Sequence, residues 1–113
     1  LMLAAMRDDI ESGRPMILQG DLNHTPAAAE YQSWVDAGLR DCFEARGTGQ
    51  DLTIPSTTPR KHIDYIWTHG SLPTALQECR VLFEGSFRTN PEDSTSVALS
   101  DHIPLLAVFE NPK

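Results

Sequence analysis

The fold of this chain is decided by one stretch of its sequence, Pro15-Met16-Ile17-Leu18-Gln19-Gly20-Asp21-Leu22-Asn23-His24-Thr25-Pro26. Its apolar first half predicts a short buried strand over residues 16–20, and Gly20 gives the backbone freedom to turn at the end of that strand. Pro26 prevents the strand from continuing. The stretch therefore predicts a buried strand that ends abruptly in a polar turn.

Two polar side chains follow the predicted strand. Side chains alternate along a strand, so Asp21 and Asn23 are expected to point to the same side. α/β proteins hold their sites at strand ends, and a carboxylate beside an amide can bind a ligand there. The structural alternative is a helix start, with Thr25 as the N-cap and Pro26 at the first helical position. That alternative leaves Asp21 and Asn23 unexplained, and both are candidate site residues.

Length and composition limit the class of protein. The 113 residues allow one domain with a modest core. Nine Lys and Arg against sixteen Asp and Glu give a formal net charge of −7, which disfavours a general nucleic-acid binder without excluding a nuclease. Cys42 and Cys79 predict two buried small hydrophobes, the preferred interpretation, or one disulfide. No apolar run approaches the roughly 18 residues of a membrane span, and no signal segment opens the chain, so we expect it to be soluble in an unknown compartment.

The remaining sequence predicts an α/β or α+β domain. Apolar spacing predicts an amphipathic helix over residues 1–12, and an aromatic stripe predicts a second helix over residues 26–37. Residues 39–58 predict a surface connection with a short helix, and residues 85–100 predict a long loop. Three further strands are predicted over residues 62–67, 76–83 and 103–109. We expect the four strands to share one sheet that brings their polar groups to one edge.

Two further acidic sites accompany these strands. Along the second strand, His62, Asp64 and Ile66 are expected on one face. A buried, unpaired carboxylate is costly, so Asp64 requires a cationic or hydrogen-bonding partner, unless it is a partly exposed residue on an edge strand. Asp101 and His102 precede the last strand. Crowded carboxylates imply a divalent cation or a protonated histidine among them, and hard oxygen ligands favour magnesium or manganese.

Three motifs make the chain recognisable. They are Gly20-Asp21-Leu22-Asn23 with Thr25-Pro26, then Ile63-Asp64-Tyr65-Ile66, and then Ser100-Asp101-His102 with Pro104. In order and spacing they resemble the C-terminal motifs of the endonuclease/exonuclease/phosphatase superfamily, which includes abasic-site endonucleases, type I deoxyribonucleases, neutral sphingomyelinases and inositol polyphosphate phosphatases. The resemblance covers residues 15–109. It implies the C-terminal half of a four-layer sandwich, in which two packed sheets carry helices on the outside.

The resemblance also implies a role for each candidate residue. Asp21 would orient or deprotonate the attacking water, and Asn23 would donate a hydrogen bond to the phosphate. His102 would contact the phosphoryl oxygens while Asp64 holds its ring. Asp101 would help to bind Mg²⁺, or Mn²⁺, or the waters of the ion. The implied activity is hydrolysis of a phosphodiester or phosphomonoester by in-line attack of water.

His24 follows the first motif and is expected to be a solvent-facing loop residue rather than a substrate contact. Two departures from the family pattern accompany the resemblance. His62 stands where many members carry Arg, and the family's N-terminal half, with its metal-binding glutamate, has no counterpart in this sequence. We therefore expect residues 1–113 to be the C-terminal portion of one domain, with that half and a phosphate ester as partners and with self-association through an exposed sheet face. The alternatives left open are a nuclease of the same superfamily and a non-catalytic remnant that serves as a binding module.

Overall fold

The computed structural model describes residues 2–110. Leu1, at the start of the predicted first helix, and residues 111–113, at the end of the predicted domain, lie outside the described residues. The helices are α1 (Met2–Ala5), α2 (Arg7–Glu11), α3 (Ala29–Asp36), α4 (Cys42–Arg46) and α5 (Leu72–Ala75). The strands are β1 (Met16–Asp21), β2 (Arg40–Asp41), β3 (Gly47–Thr48), β4 (Asp64–His69), β5 (Leu76–Val81) and β6 (Leu105–Phe109). No helix in this part of the chain is long and apolar enough to cross a membrane.

The strands form two three-stranded sheets, ordered β1-β4-β2 and β3-β5-β6. β4 is antiparallel to β1 and β2, and β5 is parallel to β3 and antiparallel to β6. The α/β fold class is confirmed, but the expectation of one sheet containing all four predicted strands is wrong. Both edges of β4 are already paired, so its backbone groups have no place for β5, which pairs with β6 instead.

An aromatic core joins the helices to the first sheet. Tyr65 and Trp67 are two residues apart in β4, so their side chains lie on the same face of the sheet. Both are buried against Trp34 of α3 and against Leu39. The side chains of the first helical segment that pack against this core are those predicted by their spacing, Leu3, Met6 and Ile10. The single helix predicted over residues 1–12 is instead divided at Met6, whose φ of −98° and ψ of 1° leave the helical region.

The turn before α3 differs from the predicted helix start. The Ala28 N–H donates to the Thr25 carbonyl at 3.0 Å, which closes a tight turn ahead of the helix. Thr25 and Pro26 therefore lie outside α3, and its N-cap is Ala28, which supplies no side-chain hydrogen bond. The alternative in which Thr25 caps the helix is wrong, whereas the predicted end of the helix near residue 37 is confirmed, because α3 ends at Asp36 and Gly38 has a φ of +94°.

The segment predicted as a surface connection, residues 39–58, is partly buried. Asp41 is buried and caps α4, because one carboxylate oxygen accepts the Phe43 N–H at 3.0 Å. Its other oxygen accepts the hydroxyl of Tyr31 at 2.9 Å. Burial raises the pKa of Asp41, opposed by these hydrogen bonds. The predicted short helix is present, but this part of the chain belongs to the core.

A second buried cluster lies between the two sheets. It contains Ile66 of β4, Leu76 and Cys79 of β5, and Cys42 of α4. Both cysteines are free thiols, and burial raises the pKa of Cys42 to about 11 and that of Cys79 to about 12. The preferred interpretation of these residues as buried small hydrophobes is confirmed.

β1 is less buried than its apolar sequence predicts. Its register with β4 pairs Ile17 with Thr68 and Gln19 with Ile66, on the side of the sheet that faces away from the aromatic core. Ile17 is 51% exposed. The described residues cover only one side of β1, so the expectation of a fully buried strand is wrong.

Candidate active site

The three acidic motifs meet at one corner of the first sheet. Asp21 ends β1 and Asp64 begins β4, and the two residues are direct partners in the strand register. His102 comes from the loop before β6, in the other sheet. One ligand atom from each of these three side chains lies within 4.8 Å of the other two. The structure thus brings together side chains that the sequence predicted to converge, although their strands belong to two sheets.

A short hydrogen bond fixes His102 at this corner. Its Nδ1 lies 2.8 Å from Asp64 Oδ2, and its Nε2 lies 3.8 Å from Asp21 Oδ2 and 3.9 Å from Asp101 Oδ1. The bond to Asp64 raises the pKa of His102, with further contributions from the charges of Asp64, Asp101 and Asp21, while partial burial opposes the shift. The ring is therefore held as a cation to higher pH than a free histidine.

Asp64 has the partner that its position requires. It lies on the central strand of its sheet, which excludes the alternative of an edge strand, and its carboxylate is paired with His102. The expected common face with His62 is wrong because β4 begins only at Asp64. The ring of His62 instead stacks on Tyr65, with centroids 4.6 Å apart, and its Nδ1 lies 3.0 Å from Asp51 Oδ2.

The turn after β1 holds one oxygen of Asp21. The backbone N–H of Asn23 donates to Asp21 Oδ1 at 2.7 Å, and Asn23 has a φ of +58°, in the left-handed region that asparagine tolerates. Alternation does not extend to Asn23, because the strand ends two residues earlier, so the prediction of a shared strand face is wrong. The two oxygens of Asp21 have different surroundings: Oδ1 is anchored by the turn, and Oδ2 faces His102.

The loop that carries His102 is anchored next to the site. The His102 N–H donates to the Ser100 hydroxyl at 3.1 Å, and the Ile103 N–H donates to the Thr53 carbonyl at 2.7 Å. Thr53 is fully buried, and its hydroxyl accepts the Ile63 N–H at 3.3 Å. Thr53 thus contacts the residue that follows His102 and the residue that precedes Asp64. Sequence reasoning did not assign it this role, because residue type alone does not reveal such a bridge.

The donor chemistry of the corner fits a hard divalent cation. A protonated His102 has no lone pair with which to bind a metal ion. The oxygen atoms near its Nε2 that could ligate a metal ion are those of the Asp21 and Asp101 carboxylates. Asp101 is 78% exposed. Mg²⁺ prefers oxygen ligands, keeps several waters and needs only one or two protein carboxylates, and Mn²⁺ accepts the same donors.

An open groove leads along the sheet to this corner. It has a volume of about 480 Å³, with Gln19 and Ile66 of the first sheet among its lining residues together with Ser100 and Leu105 of the His102 loop and β6. Asp64 and His102 also line it. A substrate in this groove would have direct access to the histidine.

His24 is a residue whose position the sequence did not predict. It is partly buried rather than solvent-facing: its Nε2 accepts the indole N–H of Trp34 at 3.1 Å, and its ring centroid lies 5.1 Å from that of Tyr65. The expectation of a solvent-facing loop histidine is therefore wrong.

The fold and this corner define a known class of proteins. The chain belongs to the Endonuclease/Exonuclease/phosphatase family, whose sequence model matches residues 1–102. The resemblance read from the three motifs is thereby confirmed. Among curated proteins, none matches the chain.

Three solved structures resemble this one. The 3′ phosphatase NExo from Neisseria, bound to a product DNA hairpin, has a TM-score of 0.73 at 22% identity over 96% of this chain and 50% of its own. A family protein from Leptotrichia buccalis C-1013-b has a TM-score of 0.64 at 21% identity over 93% of this chain and 40% of its own. A functionally unknown conserved protein from Enterococcus faecalis V583 has a TM-score of 0.68 at 22% identity over 96% of this chain and 42% of its own. The chain spans half or less of each of these structures.

Proposed function

We propose that this chain contributes the Asp–His corner of a divalent-metal-dependent phosphoesterase, which hydrolyses a phosphodiester or phosphomonoester by in-line attack of water. The observation that carries the proposal is the geometry of His102, whose Nδ1 is 2.8 Å from Asp64 while its Nε2 faces Asp21 at 3.8 Å. Membership of the family supports hydrolysis of phosphate esters as the reaction class.

His102 would stabilise negative charge on the phosphoryl group. Phosphoryl transfer is accelerated chiefly by positioning and by cations near the oxygens where charge accumulates. The bond to Asp64 favours the imidazolium and leaves the Nε2–H as a donor toward the groove. Asp64 then acts through His102, which it orients and keeps charged.

Asp21 would orient or deprotonate the attacking water. Its Oδ1 is occupied by the amide of Asn23, so its Oδ2 is the oxygen that can accept a proton from water. The exposed side chain of Asn23 would donate a hydrogen bond to the phosphate. An anchored carboxylate keeps its reactive oxygen directed into the corner, which lowers the cost of reaching the reactive arrangement.

A bound Mg²⁺ or Mn²⁺ would neutralise phosphate charge and lower the pKa of a coordinated water. Asp101, whose Oδ1 lies 3.9 Å from His102 Nε2, would hold the ion or its waters. The exposure of Asp101 suits an ion that keeps most of its hydration.

The substrate class is proposed from charge. A formal net charge of −7 favours a small phosphate ester, such as a lipid headgroup or a sugar phosphate, over a long nucleic acid. The second candidate is a nuclease or DNA 3′ phosphatase, which is favoured by the similar Neisseria structure bound to a product DNA hairpin. A non-catalytic binding module is a third candidate. It is disfavoured because the chain retains all five residues to which the resemblance gives a role, Asp21, Asn23, Asp64, Asp101 and His102.

The remainder of the fold is proposed as a partner. The matched parts of the similar solved structures make up half or less of their chains. The exposed side of β1, which carries Ile17, could be covered by a sheet from outside the described residues. We propose that an N-terminal half packs there, and that without it this face associates with a second copy.

The test is an assay with two chromogenic esters, bis(p-nitrophenyl) phosphate and p-nitrophenyl phosphate, in Mg²⁺ or Mn²⁺. The chain is assayed with and without a separately expressed N-terminal half, and beside a His102→Ala control. Metal-dependent turnover that His102→Ala abolishes supports the proposal. Turnover that persists in His102→Ala contradicts it, and absence of turnover in every combination favours the binding module. A DNA hairpin with a 3′ phosphate, assayed in parallel, separates the nuclease candidate from the small-ester candidate.

A further inference from the structure

A tyrosine hydroxyl lies directly behind the proposed active site. Tyr65 follows Asp64 in β4, so its side chain points to the opposite side of the sheet, where it is 1% exposed. Its O–H donates to the carbonyl of His24 at 2.8 Å and to the carbonyl of His62 at 3.2 Å. A hydroxyl carries one proton, so these two carbonyl oxygens share it.

The two carbonyls belong to the two segments that carry the carboxylates. His24 follows the turn that anchors Asp21, and His62 lies two residues before Asp64. A backbone hydrogen bond from Leu22 N–H to the Ile63 carbonyl, at 3.0 Å, joins the same two segments. The hydroxyl and this backbone bond together bracket the turn that holds Asp21.

The packing of the ring fixes the direction of the hydroxyl. The ring of Tyr65 is stacked on that of His62, and the ring of His24 lies 5.1 Å away at a tilt of 31°. His24 is in turn held by the indole N–H of Trp34. Burial raises the pKa of Tyr65, so the phenol remains a protonated donor at neutral pH.

We propose that Tyr65 is a positioning residue: its hydroxyl sets the distance between the Asp21 turn and the start of β4, and so between Asp21 and the Asp64–His102 pair. The catalytic consequence rests on the proposed function. The positional consequence does not, and it can be measured on the protein without substrate or metal.

The chain offers a matched control for the test. It contains two tyrosines, Tyr31 and Tyr65, whose rings lie 6.0 Å apart in the same aromatic core. The hydroxyl of Tyr31 donates to Asp41, which is part of neither site segment. Tyr65→Phe and Tyr31→Phe therefore remove the same atom from the same core, but only the first removes a bond to the site turn.

The first readout is amide hydrogen exchange in the 113-residue chain. In Tyr65→Phe, the amides of Leu22 and Asn23 are expected to exchange about tenfold faster, which corresponds to a hydrogen bond of about 1.4 kcal/mol. The amide of Cys79, in β5, is expected to keep its rate. Tyr31→Phe is expected to leave the amides of Leu22 and Asn23 unchanged. Equal acceleration of all three amides in Tyr65→Phe, or no acceleration, would overturn the proposal.

The second readout is turnover of bis(p-nitrophenyl) phosphate with Mg²⁺ in the preparation that gives activity. Tyr65→Phe is expected to lower kcat at least tenfold with little change in KM, whereas Tyr31→Phe keeps kcat. If kcat falls equally in both variants, the cause is a general loss of stability, and this result would overturn the proposal. If the unmodified protein is inactive, the proposed function fails while the exchange result still decides the positional role.

A third measurement covers the case in which Tyr65→Phe does not fold. In the Tyr31→Phe background, Tyr65 is the only tyrosine of the chain, so a ¹³Cζ-labelled tyrosine gives one NMR signal. A hydroxyl bonded to His24 is expected to exchange its proton with deuterium more slowly than free tyrosine, and the signal then resolves into protonated and deuterated forms. Exchange as fast as in free tyrosine would overturn the proposal.

Discussion

The Asp64→Asn substitution removes the charge that holds His102 and changes the shape of the side chain very little. In the native protein, Asp64 Oδ2 lies 2.8 Å from His102 Nδ1, and the two side chains are 17% and 30% exposed. A hydrogen bond between charged groups contributes about 1.5–3 kcal/mol, and the partial exposure of both groups favours the lower end of that range. The variant would therefore lose most of the fixed orientation of the imidazole.

The sign of the pH effect follows from the raised pKa of His102. A free histidine has a pKa of about 6.5, so the pair stabilises the native state fully below that pH and less as the pH rises through the raised pKa. Asp64→Asn returns the pKa toward its ordinary value. We therefore expect the alkaline limb of turnover to move to lower pH and the pH-dependent loss of stability to diminish. Loss of the charged, oriented ring is expected to lower turnover by about 10².

The assay combines an NMR titration of the His102 ring, thermal unfolding against pH and turnover of the chromogenic diester. Asp51→Asn is the matched control, because it breaks a second Asp–His hydrogen bond among the described residues, in which Asp51 Oδ2 lies 3.0 Å from His62 Nδ1. The control is expected to lower the unfolding temperature without changing the His102 titration or turnover. An unchanged His102 titration and unchanged turnover in Asp64→Asn would refute the assigned role of this pair.

Three further predictions concern the side chains of Asp21 and His102, the loop between β5 and β6, and the exposed side of β1. Asp21→Ala and His102→Ala are each expected to lower turnover by about 10² or more, while the free energy of unfolding falls by no more than about 1.5 kcal/mol, the contribution of the hydrogen bond that each removes, because both side chains are partly exposed. Comparable losses of stability would assign them to structure. Arg88→Met is expected to speed proteolysis of the loop between β5 and β6, because the buried guanidinium of Arg88 donates to three backbone carbonyls. Arg80→Met is the control, because Arg80 is exposed, and it should leave the rate of proteolysis unchanged. Ile17→Lys is expected to abolish self-association of the chain as measured by light scattering, and a dimer that persists would exclude this face.

Local sequence rules predicted the convergence of Asp21, Asp64 and His102 better than they predicted the sheets. Apolar runs located β1 and β4 to within two residues, and the cost of an unpaired buried carboxylate predicted a partner for Asp64, which the structure provides in His102. Strand pairing depends instead on which edges are free. Nothing in the apolar runs indicated that β2, with two residues, would occupy the second edge of β4.

The support of the site could not be read from residue types. Tyr65 is an aromatic residue in an apolar run, where burial of its ring is the expected role, and the hydroxyl finds its partner 41 residues away in sequence. Thr53 also contacts residues that are distant in sequence, because its carbonyl accepts the Ile103 N–H and its hydroxyl accepts the Ile63 N–H. Such contacts join positions that are distant along the chain, and local periodicity carries no information on them.

The division of the strands between two sheets has a consequence for how the site forms. Asp21 and Asp64 are fixed by pairing within the first sheet, but His102 precedes a strand of the second. Its position relative to Asp64 therefore depends on two contacts. The Ile103–Thr53 backbone bond ties the segment before β6 to the segment before β4, and the cluster of Ile66 with Cys79 packs between the sheets. Substitutions at that boundary should separate His102 from Asp64 while leaving each sheet intact. The geometry of the Asp64–His102 pair thus depends on how the two sheets and their connecting segments pack together rather than on either sheet alone.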